Sequence, residues 1–152
     1  MTTARQRVTK VRDAVLQMEQ DSFGTGDVIL KGAPHCVIGM LMVKDMASIK
    51  QNPLFAKGMS DYRAGRKSYG GVPITDEDFE TEMWQDTLLS GVVYKMFEAE
   101  YDLEGCVLYD PNDENDGNRE AILDALEANL RESDERLEEL FPSAATHVDQ
   151  RV

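Results

Sequence analysis

The sequence lacks any apolar run long enough to cross a membrane. A spanning helix needs about 20 consecutive apolar residues. The apolar stretch around Cys36–Val43 and the second half of the Thr75–Tyr101 segment are both interrupted by charge before that length. Cysteine is scarce as well, with only Cys36 and Cys106. The pair could in principle form one disulfide, but without a secretory context they read as reduced, buried small hydrophobes. The basic residues Arg5, Arg7, Lys10 and Arg12 are not followed by an apolar segment and a small-residue cleavage site. They therefore do not read as a signal peptide, and a cytoplasmic location is expected. No aromatic residues interleave with them, which together with the acidic balance argues against direct nucleic-acid binding.

Catalytic and cofactor signatures are also missing. Gly24-Thr25-Gly26 is followed by no Lys-Ser/Thr pair at phosphate-loop spacing,. His35 and Cys36 are adjacent, which is not a structural zinc spacing, and only Cys106 and His147 could add ligands of those types. Nothing local brings a cysteine to a histidine as a nucleophile–base pair. Residues 110–118, DPNDENDGN, invite a calcium reading. With Asp110 first in a calcium loop, however, the required glycine falls on Asn115 and the bidentate glutamate on Ala121. No catalytic residue, metal site or cofactor is expected.

What is present is charge, unevenly divided. The formal net charge of the 152 residues is −13. Residues 1–72 hold 11 basic and 6 acidic side chains, whereas residues 73–152 hold 5 basic and 23 acidic ones. Such a division can bind the two halves together or present a signed face to a partner.

Hydrophobic periodicity gives a mainly α fold: one irregular helical domain, residues 1–142, of about four main helices. A short two-stranded β element is possible, and residues 143–152 read as a flexible tail. Residues 3–20 form the first helix, with Thr3 and Gln6 as a capping box and Ala4, Val8, Val11, Val15 and Met18 on one face. Its basic residues are expected to cover the acidic half of the same chain. Residues 34–49 read as a buried helix opened by Pro34, with a strand through Cys36–Val43 as the alternative. Thr75–Tyr101 reads as one long central helix with Phe97 in its core face. Val28–Leu30 and Cys106–Asp110 are strand candidates. Residues 119–141 read as one amphipathic helix capped by Asn118, with Glu127–Arg131, Arg131–Glu135 and Glu132–Arg136 as supporting pairs.

Two groups of residues are candidate sites. Tyr62, Arg63, Arg66, Lys67 and Tyr69 combine planar guanidinium forks with stacking rings, a set suited to a small anionic ligand. Glu120, Asp124, Glu127, Asp134 and Glu138 line the polar side of the last helix and are candidates for contact with a partner.

Three stretches in order carry a family resemblance: Cys36-Val-Ile-Gly39 after Gly32-Ala33, then Asn112-Asp113, then Glu120-Ala-Ile-Leu-Asp-Ala-Leu126. In these the chain resembles a family of small actinobacterial and phage-borne proteins of unknown function, across residues 4–140. The resemblance implies an Asn-Asp turn before a helix and no activity. The acidic residues up to Asp116 depart from the family's compact turn, and the Arg63–Tyr69 loop has no counterpart in it. The expected function is a non-enzymatic interaction or regulatory protein, cellular or phage-related, with a protein partner or a second copy of itself. Alternatives are an acidic DNA mimic that inhibits a nucleic-acid-binding protein, and an anionic-ligand binder or enzyme using the Tyr62–Tyr69 loop.

Overall fold

The computed structural model describes residues 2–51, 84, 85 and 87–143. Among these the fold is mainly helical with one antiparallel pair of two-residue strands. The first helix, α1 (Ala4–Leu16), starts where the sequence places it. The Thr3 hydroxyl accepts from the Gln6 N–H, and the Gln6 side chain accepts from the Thr3 N–H. Ala4, Val8, Val11, Val15 and Met18 are all buried, as their shared face requires,.

The chain then forms β1 (Ile29–Leu30) and β2 (Ala33–Pro34), joined by Lys31 and Gly32, both at positive φ. A two-residue turn with both φ values positive matches the twist of the strands it joins. Pro34 lies in β2 rather than opening a helix. The helix starts later, as α2 (Val37–Lys44), and continues after Asp45 as α3 (Met46–Gln51). The strand alternative for Cys36–Val43 is thereby settled in favour of helix. Gly39 allows the hairpin to lie against α2, because a Cβ there would collide with the Val28 carbonyl oxygen.

The central helix, α4 (Thr87–Tyr101), is shorter than the sequence suggests. Trp84 and Gln85 sit in a turn, and the rest of the expected first half lies outside the described residues. Val93, Met96, Phe97 and Tyr101 are buried. The helix ends in a Schellman turn, with Asp102 at φ 52 and the Leu103 N–H donating to the Glu98 carbonyl,.

The expected strand at Cys106–Asp110 is helix instead, part of α5 (Cys106–Glu114), which accommodates Pro111. Leu108 and Asn112, four residues apart, share its buried face,. The expected final helix is two: α6 (Arg119–Leu130) and α7 (Asp134–Leu140). Asn118 caps α6 by accepting from the Ala121 N–H, as expected, while Ser133 restarts the chain by accepting from the Arg136 N–H. The break separates Arg131 from Glu135 and Glu132 from Arg136. Glu127 turns instead to Arg12.

α1 packs chiefly on α6 and α7, while α2 packs on α5 and α3 packs on α4. Among the described residues, Phe97, Ile38, Leu41, Met42, Ile49, Met96, Ile122 and Leu126 are the largest fully buried side chains. Among the described residues, no helix is long and apolar enough to cross a membrane. Ser143, counted with the tail, is buried and donates to the Asp102 carboxylate at 2.6 Å, while residues 144–152 lie outside the described set.

Candidate interaction surfaces

The cations of α1 are used inside the molecule. Arg5 pairs with Asp134 at 2.8 Å and donates to the Leu130 and Glu132 carbonyls, covering the open end of α6. Arg7 is buried, donates to the Thr2 and Phe141 carbonyls, and pairs with Glu138 at 3.3 Å. Lys10 donates to the Glu100 carbonyl, and Arg12 pairs with Glu127 at 3.0 Å and with Asp13. Of the five carboxylates singled out on the last helical stretch, Glu127, Asp134 and Glu138 therefore face α1. Glu120 and Asp124 stay exposed.

A second junction was invisible in the sequence. Asn112 is fully buried and uses both ends of its amide. Its Oδ1 accepts from the Val37 N–H at 3.1 Å, satisfying one of the open N–H groups at the start of α2,. Its Nδ2 donates to the Gly24 carbonyl at 2.9 Å and to Asp113 Oδ1 at 3.0 Å. Asp113 Oδ1 also accepts from the Gly26 N–H at 3.1 Å. Beside this, the Phe23 N–H donates to the Gly117 carbonyl and the Arg119 N–H to the Asp21 carbonyl. Gly117 sits at φ 71, and a Cβ there would collide with the Phe23 carbonyl oxygen. The Gly24–Gly26 turn, the start of α2 and the Asn112-Asp113 pair, which lies within α5 rather than in the expected turn, thus meet around one polar latch. Cys36, next to it, is fully buried, and burial pushes its thiol pKa up, so it stays a neutral packing group,.

Asp110 and Glu114 lie on α5, which carries the latch, Asp116 in the turn that follows, and Glu120 and Asp124 on α6. Asp110, Glu114, Asp116, Glu120 and Asp124 are exposed and have no ion pair among the described residues. Asp110 and Glu114 are one turn apart on α5, and Glu120 and Asp124 one turn apart on α6, so each pair shares a face. Among the described residues, no three His, Cys, Asp or Glu side chains converge to hold a metal ion.

A polar joint connects α1, α3 and α4. The Tyr101 hydroxyl donates to Asp45 Oδ2. Glu100 Oε1 accepts from Ser48 at 3.1 Å, and Lys10 Nζ stands 5.0 Å from the Tyr101 ring centroid. Burial, and then the charge of Glu100, raise the Asp45 pKa above the usual carboxylate value, and Lys44 and Lys10 offset part of that rise,.

Two grooves are lined by described residues. One of about 330 Å³ is lined by Val28, Ile29, Trp84, Gln85, Ser90, Gly91 and Tyr94. The other, of about 340 Å³, runs between Gln17–Gln20 and the Met40, Val43 and Lys44 side of α2. Tyr62, Arg63, Arg66, Lys67 and Tyr69 lie outside the described residues. No family model, curated protein or solved structure matches the chain.

Proposed function

We propose that this chain is a non-enzymatic interaction protein that regulates a partner by presenting the carboxylate face from Asp110 to Asp124 to a basic surface. The observation that supports this is the unequal use of charge. All four cations of α1 are spent on the chain's own carboxylates and carbonyls, whereas the five exposed carboxylates of α5, α6 and the turn between them have no basic partner among the described residues. The latch holds these two helices and their connecting turn in place, so the face is ordered before a partner arrives. Fixed like charge of this kind speeds encounter with an oppositely charged surface and makes binding sensitive to salt. The test is affinity capture from a cell extract with the full chain, beside the triple variant Glu114→Gln, Glu120→Gln, Asp124→Asn. A macromolecule held by the wild-type chain, released by added salt and not held by the variant supports the reading. Retention indifferent to both counts against it.

A narrower form is a DNA mimic. The one-turn spacing of Asp110 with Glu114 and of Glu120 with Asp124 favours it, and the internal pairing of Glu127, Asp134 and Glu138 shortens the row. Displacement of the captured partner by duplex DNA distinguishes this form, because a mimic and DNA compete for one site. The groove lined by Trp84 and Tyr94 favours a second reading, a small-ligand binder, for which Tyr62–Tyr69 are candidates by residue type alone. A thermal-shift screen of nucleotides and organic anions, repeated with Arg66→Ala, tests that reading. It fails if no compound stabilises the chain and the variant behaves like the wild type.

A further inference from the structure

The sequence of α2, VIGMLMVK, is apolar at every position before Lys44. A helix apolar on all sides expects cover on all sides. The described residues supply only part of it. Val37, Ile38, Leu41 and Met42 are fully buried, while Met40 is half-buried and Val43 is 46% exposed. Both line the groove against Gln17–Gln20, just beyond Leu16, which is 49% exposed at the end of α1. Leu16, Leu30 and Val43 are the exposed large hydrophobics among the described residues, and Val43 lines this groove. Its walls carry opposite charge: Glu19 on the α1 side and Lys44 on the α2 side, neither in an ion pair among the described residues.

We propose that this groove is where two copies of the chain meet, in a two-fold dimer that sets Glu19 of each copy against Lys44 of the other across Met40 and Val43. A two-fold contact uses the same patch twice and therefore needs a patch that complements itself. An apolar floor between one acidic and one basic wall meets that need. Elsewhere the net charge of −13 on each copy opposes contact between like acidic surfaces,. A basic foreign partner would be drawn to the carboxylate face instead of this charge-balanced groove. The dimer goes beyond the carboxylate-face reading and stands or falls separately from it. The contact is small, so association is reversible, and salt strengthens it by screening the long-range repulsion between copies.

Sedimentation equilibrium of the full chain over a range of concentration and salt tests the proposal. The expected result is a monomer–dimer equilibrium that shifts toward dimer as salt is added. Val43→Asp weakens it by about tenfold or more, since a buried unpaired carboxylate replaces an apolar contact. Glu19→Lys weakens it by setting lysine against lysine, and the double variant Glu19→Lys, Lys44→Glu restores it. Circular dichroism confirms that each variant folds; Glu19 and Lys44 are exposed, so their exchange leaves the core untouched. A wild-type chain monomeric under every condition overturns the proposal. So does a dimer indifferent to Val43→Asp and Glu19→Lys, or a double variant no better than the single one.

Discussion

Asn112 holds the start of α2, the Gly24–Gly26 turn and the Asp113 carboxylate with one amide, so its replacement tests three contacts together. Asn112→Ala leaves a buried N–H and a carbonyl without partners, and the expected loss is about 2–4 kcal/mol in a urea titration. Asn112→Asp keeps the shape but turns the donor into an acceptor aimed at the Gly24 carbonyl and Asp113. It should therefore be at least as damaging near neutral pH. Asp45 moves stability the other way. Its pKa is raised in the folded chain, by burial first and Glu100 second, so the folded state prefers the protonated carboxyl. That contribution is fully present below the unfolded carboxylate pKa and is lost as pH rises through the raised folded value. Asp45→Asn still accepts from the Tyr101 hydroxyl and no longer ionises. The variant should lose that fall in stability, and its denaturation midpoint near neutral pH should equal or exceed the wild type's. A midpoint clearly below the wild type's at neutral pH would refute the assignment. Thr3, Gln6 and Asn118 were legible as caps because a cap is read within four residues. Asn112 was not, because the N–H it serves is 75 residues away, and its surroundings, rich in Asp and Asn, look the same as an exposed turn.

At the scale of elements, the break between α6 and α7 was hidden by its own hydrophobic stripe. Leu126, Leu130, Leu137 and Phe141 continue one apolar face across it, and burial alone does not report whether the backbone between them is continuous. Ser133 followed by Asp134 and Glu135 is a local start signal, with a capping hydroxyl and acidic residues in the first turn,. It was outweighed by the stripe. Ser133→Ala should cost about 1 kcal/mol. Arg5 is the other half of the break, since its fork serves the Leu130 carbonyl, the Glu132 carbonyl and Asp134 together. The ammonium of Arg5→Lys does not reproduce that planar fork. Hydrogen exchange should then speed up selectively at the end of α6 and the start of α7, with the core of α1 unaffected. Uniform acceleration across the chain, or none, would show that the break does not depend on Arg5. At α5 the local signals point away from the helix that forms. Val107, Leu108 and Tyr109 suit a strand and Pro111 argues against a helix interior, yet the spacing of Leu108 to Asn112 puts both into the same buried seam.

Across the whole molecule, the division between a basic first half and an acidic second half was legible, and so was one of its uses. The cations of α1 do cover the acidic half, reaching residues of α4, α6, α7 and the α6–α7 turn. Which carboxylates would remain free was not legible, because that depends on how α1 lies across α6 and α7. Two electrostatic effects oppose each other as salt rises. Screening weakens the pairs of Arg5, Lys10 and Arg12, which are partly exposed and worth about 0–1 kcal/mol each. Arg7 is buried and its pair is screened much less,. Screening also relieves the self-repulsion of a chain with a net charge of −13, to which the five exposed carboxylates from Asp110 to Asp124, without a basic partner among the described residues, contribute. The second effect should win, because it sums over many like charges while the exposed pairs are few and individually weak. The urea midpoint of the wild-type chain should therefore rise as sodium chloride is added. The triple variant Glu114→Gln, Glu120→Gln, Asp124→Asn should start from a higher midpoint at low salt and gain less from the addition. A wild-type midpoint that falls with salt would mean that the α1 pairs outweigh the repulsion, and the free carboxylate face would then not be the dominant electrostatic feature of this fold.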